Sequence, residues 1–173
     1  MKSLLFSLVT VFALAQLSQA ADVTVTLSNV HLCCDKCVTG AEKAVSGVDG
    51  AKAAVDKTAH TVAITAPDSA TAQKAVDALT KAGFFGNSSD AGIKVDASTG
   101  AKGAKVQSLK VEGVHLCCAK CVKAVHETVM AVPGVTGENS QKGVESFVVT
   151  GDFNDADVFA ALQKAGLTGK AGN

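Results

Sequence analysis

The sequence predicts an α+β protein made of two tandem domains, each with the element order βαββαβ. The first observation is a repeat: residues 30–38 read VHLCCDKCV, and residues 114–122, 84 positions later, read VHLCCAKCV. The second is that a strand-like alternation of apolar and polar residues precedes both copies, and helical spacing follows them. The third is that a hairpin pattern and another amphipathic helix come next in both copies.

The elements of the first copy can be placed in order along the chain. Residues 22–30 alternate as a half-buried strand that runs into the cysteine motif. Residues 36–46 have helical spacing, and Gly47 is placed to end that helix. Short strands near 51–55 and 61–66 form a hairpin, and a second helix starts at Asp68 or Ser69 and ends near Gly83. Residues 93–96 are predicted as the closing strand.

The second copy repeats this order almost to its end. We expect a strand at 106–114, a helix carrying the valines at 122, 125, 129 and 132, and a hairpin at 135–150. A helix at 155–165 follows, with Asn154 as its N-cap, and the last strand is very short or absent. With both helices on one face of an antiparallel sheet, this order predicts two ferredoxin-like domains.

The first twenty residues are typical of a secretory signal peptide. Lys2 is followed by an apolar run at 4–17 and by small residues up to Ala21. The run is shorter than the roughly 18 residues that a membrane-spanning helix needs. We therefore predict a signal peptide at 1–20, a first domain at 21–97, a linker at 98–104 and a second domain at 105–173. The predicted protein is exported, either periplasmic or secreted, with no membrane association after signal removal.

The charge composition argues against nucleic-acid binding. Sixteen acidic residues balance sixteen basic ones, and every basic residue is lysine. Without arginine the chain lacks the side chain best suited to bidentate contacts with phosphates and bases.

We predict a monomer that is not an enzyme.

All six cysteines lie in the two repeated motifs, and they predict a soft-metal site. A CxxC pair at the start of a helix is favoured as thiolate by the helix dipole and by a neighbouring lysine, Lys36 or Lys120. Two thiolates on a loop suit Cu(I), Ag(I) or Hg(II), whereas Zn(II) prefers four ligands. The predicted metal ligands are Cys34 and Cys37 with Cys118 and Cys121, and Cys33 and Cys117 are candidate third ligands.

Three other roles for the cysteines stay open at this point. They could form structural disulfides, carry out thiol–disulfide redox chemistry, or share one four-thiolate zinc site between the copies. His31 and His115 recur with the motif and are expected to pack in the loop rather than bind metal, while His60 and His126 are expected at the surface. Leu32 and Leu116 are predicted to fill the core beneath the loops.

With its elements placed, the chain resembles two tandem heavy-metal-associated (HMA) domains. This is the family of small copper chaperones, of the amino-terminal domains of copper-transporting ATPases and of the periplasmic mercury-binding protein. Its loop usually reads Gly-Met-x-Cys-x-x-Cys; the two CxxC pairs match it, with His in place of Gly and Leu in place of Met. The resemblance implies one soft ion per domain, Cu(I) ahead of Hg(II), Ag(I) and Zn(II). It also implies scavenging of metal or its exchange with a donor or acceptor protein.

Overall fold

A computed structural model describes residues 21–172, so the predicted signal peptide lies outside the described residues. The described chain has two four-stranded antiparallel sheets and four helices, which confirms the α+β class. None of the described helices is long and apolar enough to cross a membrane. The first half contains β1 (Val23–Ser28), α1 (Asp35–Ser46), β2 (Lys52–Asp56), β3 (Thr61–Ala66), α2 (Ser69–Lys81) and β4 (Asn87–Ser88).

The second half repeats the first element by element. It contains β5 (Lys105–Glu112), α3 (Ala119–Met130), β6 (Val135–Glu138), β7 (Ser146–Asn154), α4 (Asp155–Lys164) and β8 (Lys170–Ala171). The strand orders are β2-β3-β1-β4 and β6-β7-β5-β8, so the strand that leads into the cysteine motif is central in each sheet. The order βαββαβ in each half is that of the ferredoxin-like motif. Asn154 caps α4 as predicted, its side chain accepting a hydrogen bond from the Ala156 N–H.

The prediction of a closing strand at 93–96 is wrong. The strand is β4, which pairs with β1 directly after α2, with Asn87 opposite Ser28. Gly86 permits this early return, because a Cβ there would lie 2.7 Å from the Ser28 carbonyl oxygen. Ile93 is instead a core side chain, 4% exposed, so its apolar character reflects burial rather than strand pairing. The corresponding β8 has two residues, as short as predicted.

Leu32 and Leu116 lie in the core beneath the two cysteine motifs, as predicted. They are 1% and 2% exposed, respectively. Burying a leucine side chain stabilises a fold by about 1.5–3 kcal/mol relative to leaving it in water. Each motif therefore has an apolar anchor that fixes the loop against the sheet and limits where its cysteines can lie.

The segment predicted as a linker lies against the second half. The Asp155 carboxylate accepts hydrogen bonds from the backbone N–H groups of Lys102 (2.8 Å) and Ala104 (2.9 Å). The Ala171 N–H donates to the Thr99 carbonyl at 2.7 Å. Burial of Asp155 raises the pKa of its carboxyl, but these N–H donors outweigh that effect and hold the pKa below its ordinary value.

Replacing Asp155 by asparagine is expected to lower the free energy of unfolding by about 1.5–3 kcal/mol, because one N–H acceptor becomes a donor. Since the folded-state pKa is depressed, the contribution of Asp155 is present above pH 3.8, the ordinary aspartate pKa, and is lost as pH falls through the folded-state value. Urea titrations of the wild type and the variant at pH 7 and at acid pH measure both effects. Asp157→Asn, on an exposed residue of the same helical turn, is the matched control. An equal loss in both variants would contradict this role.

Candidate metal centre

Each cysteine motif spans the junction of a strand and a helix. Cys34 and Cys118 are the N-caps of α1 and α3, with extended backbones, and neither side chain makes a capping hydrogen bond. Cys37 and Cys121 follow in the first helical turn and are both 0% exposed. This is the local geometry that the sequence predicted, with one cysteine just before each helix and one inside its first turn. Residues three apart share a helix face, so both sulfurs of a pair face the same side.

The two halves contact each other next to these motifs, in a nearly symmetrical way. The Gly83 carbonyl accepts a hydrogen bond from the Thr168 N–H at 3.1 Å, and the Gly166 carbonyl accepts the equivalent bond from the Phe85 N–H at 3.1 Å. The Gly166 carbonyl also accepts a bond from the His31 N–H at 3.1 Å. A bridge between Phe84 and Leu167 joins the segments that follow α2 and α4. The chain after the last helix of each half therefore docks against the other half.

Two glycines allow this docking. Gly83 has φ +87°, and a Cβ there would lie 2.5 Å from the His115 backbone nitrogen. Gly166 has φ +76°, and a Cβ there would lie 2.4 Å from the Asn29 carbonyl oxygen. Each glycine lies against the residues that lead into the cysteine motif of the other half. The approach that only glycine permits is therefore the one that brings the two motifs together.

All six cysteine sulfurs meet at this junction, in what we call the cysteine cluster (Cys33, Cys34, Cys37, Cys117, Cys118 and Cys121). Within each half, the CxxC sulfurs lie 3.8 and 3.7 Å apart. Contacts between the halves are as short or shorter: the Cys33 Sγ lies 3.4 Å from that of Cys121 and 3.5 Å from that of Cys118. The Cys34 and Cys118 sulfurs lie 3.6 Å apart, and those of Cys37 and Cys121 3.8 Å apart. The structure thus contains one shared cluster rather than two separate pairs.

The six sulfurs approximate an octahedron. Ten sulfur–sulfur contacts of 3.4–3.8 Å form ten of its twelve edges. The other two edges join the sequence neighbours Cys33 to Cys34 and Cys117 to Cys118, and they are within 4.8 Å. The opposite corners are the pairs Cys33 with Cys117, Cys34 with Cys121, and Cys37 with Cys118.

The octahedral arrangement favours three-sulfur sites over a four-sulfur site. An octahedron has triangular faces, and any four of its corners include at least one opposite pair. Among the described sulfurs, no set of four is in complete mutual contact, as a tetrahedral zinc site would need. A triangular face can hold a soft ion such as Cu(I), Ag(I) or Hg(II), for which thiolate is the preferred donor. The alternative of one four-thiolate zinc site is therefore disfavoured by this geometry.

The structure brings together every cysteine that the sequence singled out, including Cys33 and Cys117. Their role as ligands stays a prediction, but both side chains point into the cluster, and Cys33 belongs to its shortest contact. The main prediction, one CxxC site in each domain, missed that the two motifs meet; only the shared-zinc alternative required it. One feature of the sequence did indicate this contact between the motifs: a glycine recurs after the last helix of each copy, as Gly83 and Gly166.

Because the six sulfurs lie so close together, the pKa values of some cluster thiols are lowered and those of others are raised. A hydrogen bond from Cys121 is the main cause that holds the pKa of Cys37 well below its usual value, and the same contact is the main cause that raises the pKa of Cys121. Burial raises the pKa values of Cys33 and Cys117. Burial also acts to raise the pKa of Cys118, but hydrogen bonds led by the Cys121 N–H lower it to about 6. A few thiolates are thus stabilised by neighbouring S–H groups that keep their protons.

Two histidines flank the cluster. The Nε2 atoms of His31 and His115 are buried and make no hydrogen bond to any described residue. A ring nitrogen of His31 lies within 4.8 Å of the sulfurs of Cys33 and Cys121, and burial is the main cause that lowers the pKa of His31. His115 stacks on Phe84, with ring centroids 4.4 Å apart. Both histidines pack in the loops as predicted, yet each leaves a polar atom for the cluster.

The other two histidines are at the surface, as predicted. His126 is exposed, with its Nδ1 2.9 Å from a Glu138 carboxylate oxygen. His60 is exposed in the β2–β3 turn, where its Nδ1 lies 3.2 Å from the Val30 carbonyl. Neither belongs to a metal-ligating group among the described residues.

No protein-family model matches the chain, and no curated protein matches it. Among solved structures, the N-terminal domain of PacS from Synechocystis PCC6803 is 20% identical with TM-score 0.36, covering 39% of this chain and 100% of that one. The apo HMA domain of copper chaperone for superoxide dismutase is 21% identical with TM-score 0.36, covering 51% and 86%. The N-terminal soluble domains of Bacillus subtilis CopA are 18% identical with TM-score 0.32, covering 88% and 95%.

These structural neighbours include an HMA domain.

Proposed function

We propose that this protein binds soft metal ions, Cu(I) above all, through its cysteine cluster, and that it scavenges the metal or exchanges it with a donor or acceptor protein. The observation that carries the proposal is the convergence of all six sulfurs, with neighbours at 3.4–3.8 Å. Soft thiolate donors select soft ions. In this role the protein is not an enzyme, because the metal is its cargo. Ag(I) and Hg(II) have the same donor preference and are expected to compete.

The position of the cluster suits metal uptake and exchange. Cys34 and Cys118 are partly exposed, whereas Cys37 and Cys121 are fully buried. Incoming ions or thiols can therefore reach the N-cap sulfurs first, and the buried pair then completes the site. The N-termini of α1 and α3 place partial positive charge beside the thiolates, which favours their ionised form.

The proposed organisation follows the sequence prediction. A signal peptide at 1–20 directs export to the periplasm or the extracellular space, and HMA-like ferredoxin-like domains at 21–97 and 105–173 flank the segment at 98–104. The mature chain is proposed to be a monomer, because its two halves already supply both faces of the site. An exported protein meets oxidising conditions, in which metal occupancy protects thiolates from disulfide formation.

Metal binding is tested by an anaerobic Cu(I) titration of the reduced mature chain against a competing chelator. The matched variant carries the changes Cys34→Ser, Cys37→Ser, Cys118→Ser and Cys121→Ser. We expect tight binding by the wild type and a loss of at least 100-fold in affinity in the variant, because each remaining cysteine lacks its CxxC partners. Circular dichroism before titration checks that the variant is folded.

The opposite result would overturn the proposal. Weak Cu(I) binding by the wild type, or tight binding that survives in the four-serine variant, is incompatible with a cysteine-based metal carrier. Turnover of a disulfide substrate by the metal-free chain, with no tight Cu(I) binding, would favour the redox alternative. Zn(II) binding that excludes Cu(I) would also contradict the proposal.

A further inference from the structure

We propose that the cysteine cluster holds four Cu(I) ions in one thiolate-bridged assembly, in which each sulfur bridges two ions and both halves contribute sulfurs to three of the four sites. This inference rests on the proposed function, since it specifies how the same cysteines bind their metal. It replaces the expectation of one ion for each CxxC pair. The protein then stores copper as a compact cluster and does not carry two independent ions.

The faces of the octahedron supply the argument. An octahedron has eight triangular faces, and four of them can be chosen so that none shares an edge with another. Each corner then belongs to two chosen faces, so six sulfurs serve four three-coordinate ions. One such choice is Cys33/Cys34/Cys118, Cys34/Cys37/Cys117, Cys117/Cys118/Cys121 and Cys33/Cys37/Cys121. In the first three of these faces the sulfurs all lie within 4.8 Å of one another. The edges of the fourth are 3.7, 3.4 and 3.8 Å.

The size of the faces fits three-coordinate metal. A triangle of side 3.7 Å has its centre about 2.1 Å from each corner (3.7 Å divided by √3). Metal–thiolate bonds are ~2.3 Å long, as for zinc. The faces therefore need to expand by only a few tenths of an ångström on loading. A linear two-coordinate ion would need sulfurs ~4.6 Å apart, twice the same bond length, and the CxxC sulfurs are only 3.8 and 3.7 Å apart.

Three of the four sites draw on both halves of the chain. In the chosen set, only the face Cys117/Cys118/Cys121 takes all three of its sulfurs from one half, so neither half alone can complete the four-ion assembly. The interface at Gly83 and Gly166 is therefore part of the metal site and not only a packing contact. It also places the buried sulfurs of Cys37 and Cys121, 3.8 Å apart, at the centre of the junction.

The surroundings compensate the charge of such a cluster. Four Cu(I) ions and six thiolates have a net charge of −2. The N-termini of α1 and α3 both face the cluster and offset part of that charge, and Lys36 and Lys120 follow the N-cap cysteines. The Nε2 atoms of His31 and His115 are buried and have no hydrogen-bond partner among the described residues. In the loaded cluster each can act as a donor, because a neutral imidazole N–H can donate to a bridging sulfur.

The test is Cu(I) loading of the reduced mature chain, read by native mass spectrometry and by X-ray absorption for copper–copper scattering. The wild type is expected to reach a plateau at four ions, with three sulfur neighbours for each copper and a copper–copper signal. Cys33→Ser with Cys117→Ser leaves both CxxC pairs intact. It is expected to reduce the plateau from four ions to two and to abolish the copper–copper signal. His60→Gln with His126→Gln, on the surface histidines, is the control and should retain four.

Each other outcome is decisive. A wild-type plateau at two ions without copper–copper scattering overturns the cluster while leaving the proposed function intact. No tight binding at all overturns both. A plateau at four that persists unchanged in the Cys33/Cys117 variant also overturns the bridged cluster, because that variant lacks the sulfurs that complete the faces. The wild-type measurement alone decides the matter if the variant fails to fold.

Discussion

Replacing Gly83 and Gly166 together by valine is expected to halve the copper capacity of the protein, from four ions to two. A Cβ at Gly83 would lie 2.5 Å from the His115 nitrogen, and one at Gly166 would lie 2.4 Å from the Asn29 oxygen. These contacts are to backbone atoms, which cannot move aside as a flexible side chain would. The two halves must therefore separate at the cysteine motifs. Each half keeps its own CxxC pair, 3.8 or 3.7 Å between sulfurs, and can still bind one ion.

A matched control separates the clash from the cost of the backbone conformation. Gly103 and Gly143 also have positive φ, +67° and +81°, but a Cβ at either position meets nothing within 4 Å. Changing both to valine imposes a similar backbone cost, about 1–2 kcal/mol at each site, without touching the interface. Copper stoichiometry by native mass spectrometry and the radius of gyration by X-ray scattering are the readouts. Four ions in the Gly83/Gly166 variant would show that the interface is not required for the cluster.

The sequence could predict the elements that have local causes. The alternation before each motif, the helical spacing after it and the N-cap Asn154 gave the strands, the helices and their order in both halves. The positions of Cys34 and Cys118 at the helix starts followed from the same patterns. Side-chain periodicity and capping depend on residues a few positions apart, which the sequence displays directly.

Errors arose where a contact between distant residues decides the structure. Residues 93–96 looked like a strand because Ile93 and Val95 alternate with polar residues, yet β1 pairs with Asn87 and Ser88 instead. The choice depends on the close approach of Gly86 to Ser28, a contact across 58 positions (86 − 28). Short apolar segments can serve as core or as strand, and periodicity alone does not separate these uses.

The same limit applies to the candidate site. Sequence reasoning singled out all six cysteines, but its main prediction treated each copy as independent, and only the shared-zinc alternative joined them. Whether two tandem domains are separated or docked depends on the surface that each presents to the other. Here that surface includes Gly83 and Gly166, each of which also has the ordinary appearance of a helix-ending glycine. Their second role becomes visible only when the other half is placed against them.

Copper loading is expected to raise the unfolding temperature by roughly 10 °C or more, and the increase is expected to be larger at pH 8 than at pH 6. A ligand that binds only the folded chain at 1,000 times its Kd stabilises that chain by about 4 kcal/mol. For a domain of this size, each kcal/mol corresponds to about 2–4 °C. Calorimetry of the loaded and metal-free chain measures the shift. The variant with all four CxxC cysteines changed to serine should show none.

The pH dependence follows from the protons that metal must displace. Burial raises the pKa values of Cys33 and Cys117, and the contact with Cys37 raises that of Cys121, so these three thiols hold their protons at neutral pH. Copper binds the thiolates, so loading must release at least three protons, and the apparent affinity must rise with pH. Titration calorimetry in buffers of different ionisation enthalpy counts the protons. Release of fewer than three protons would mean that Cys33, Cys117 and Cys121 do not all become ligands. The three-sulfur faces that join the two motifs into one cluster would then be incomplete.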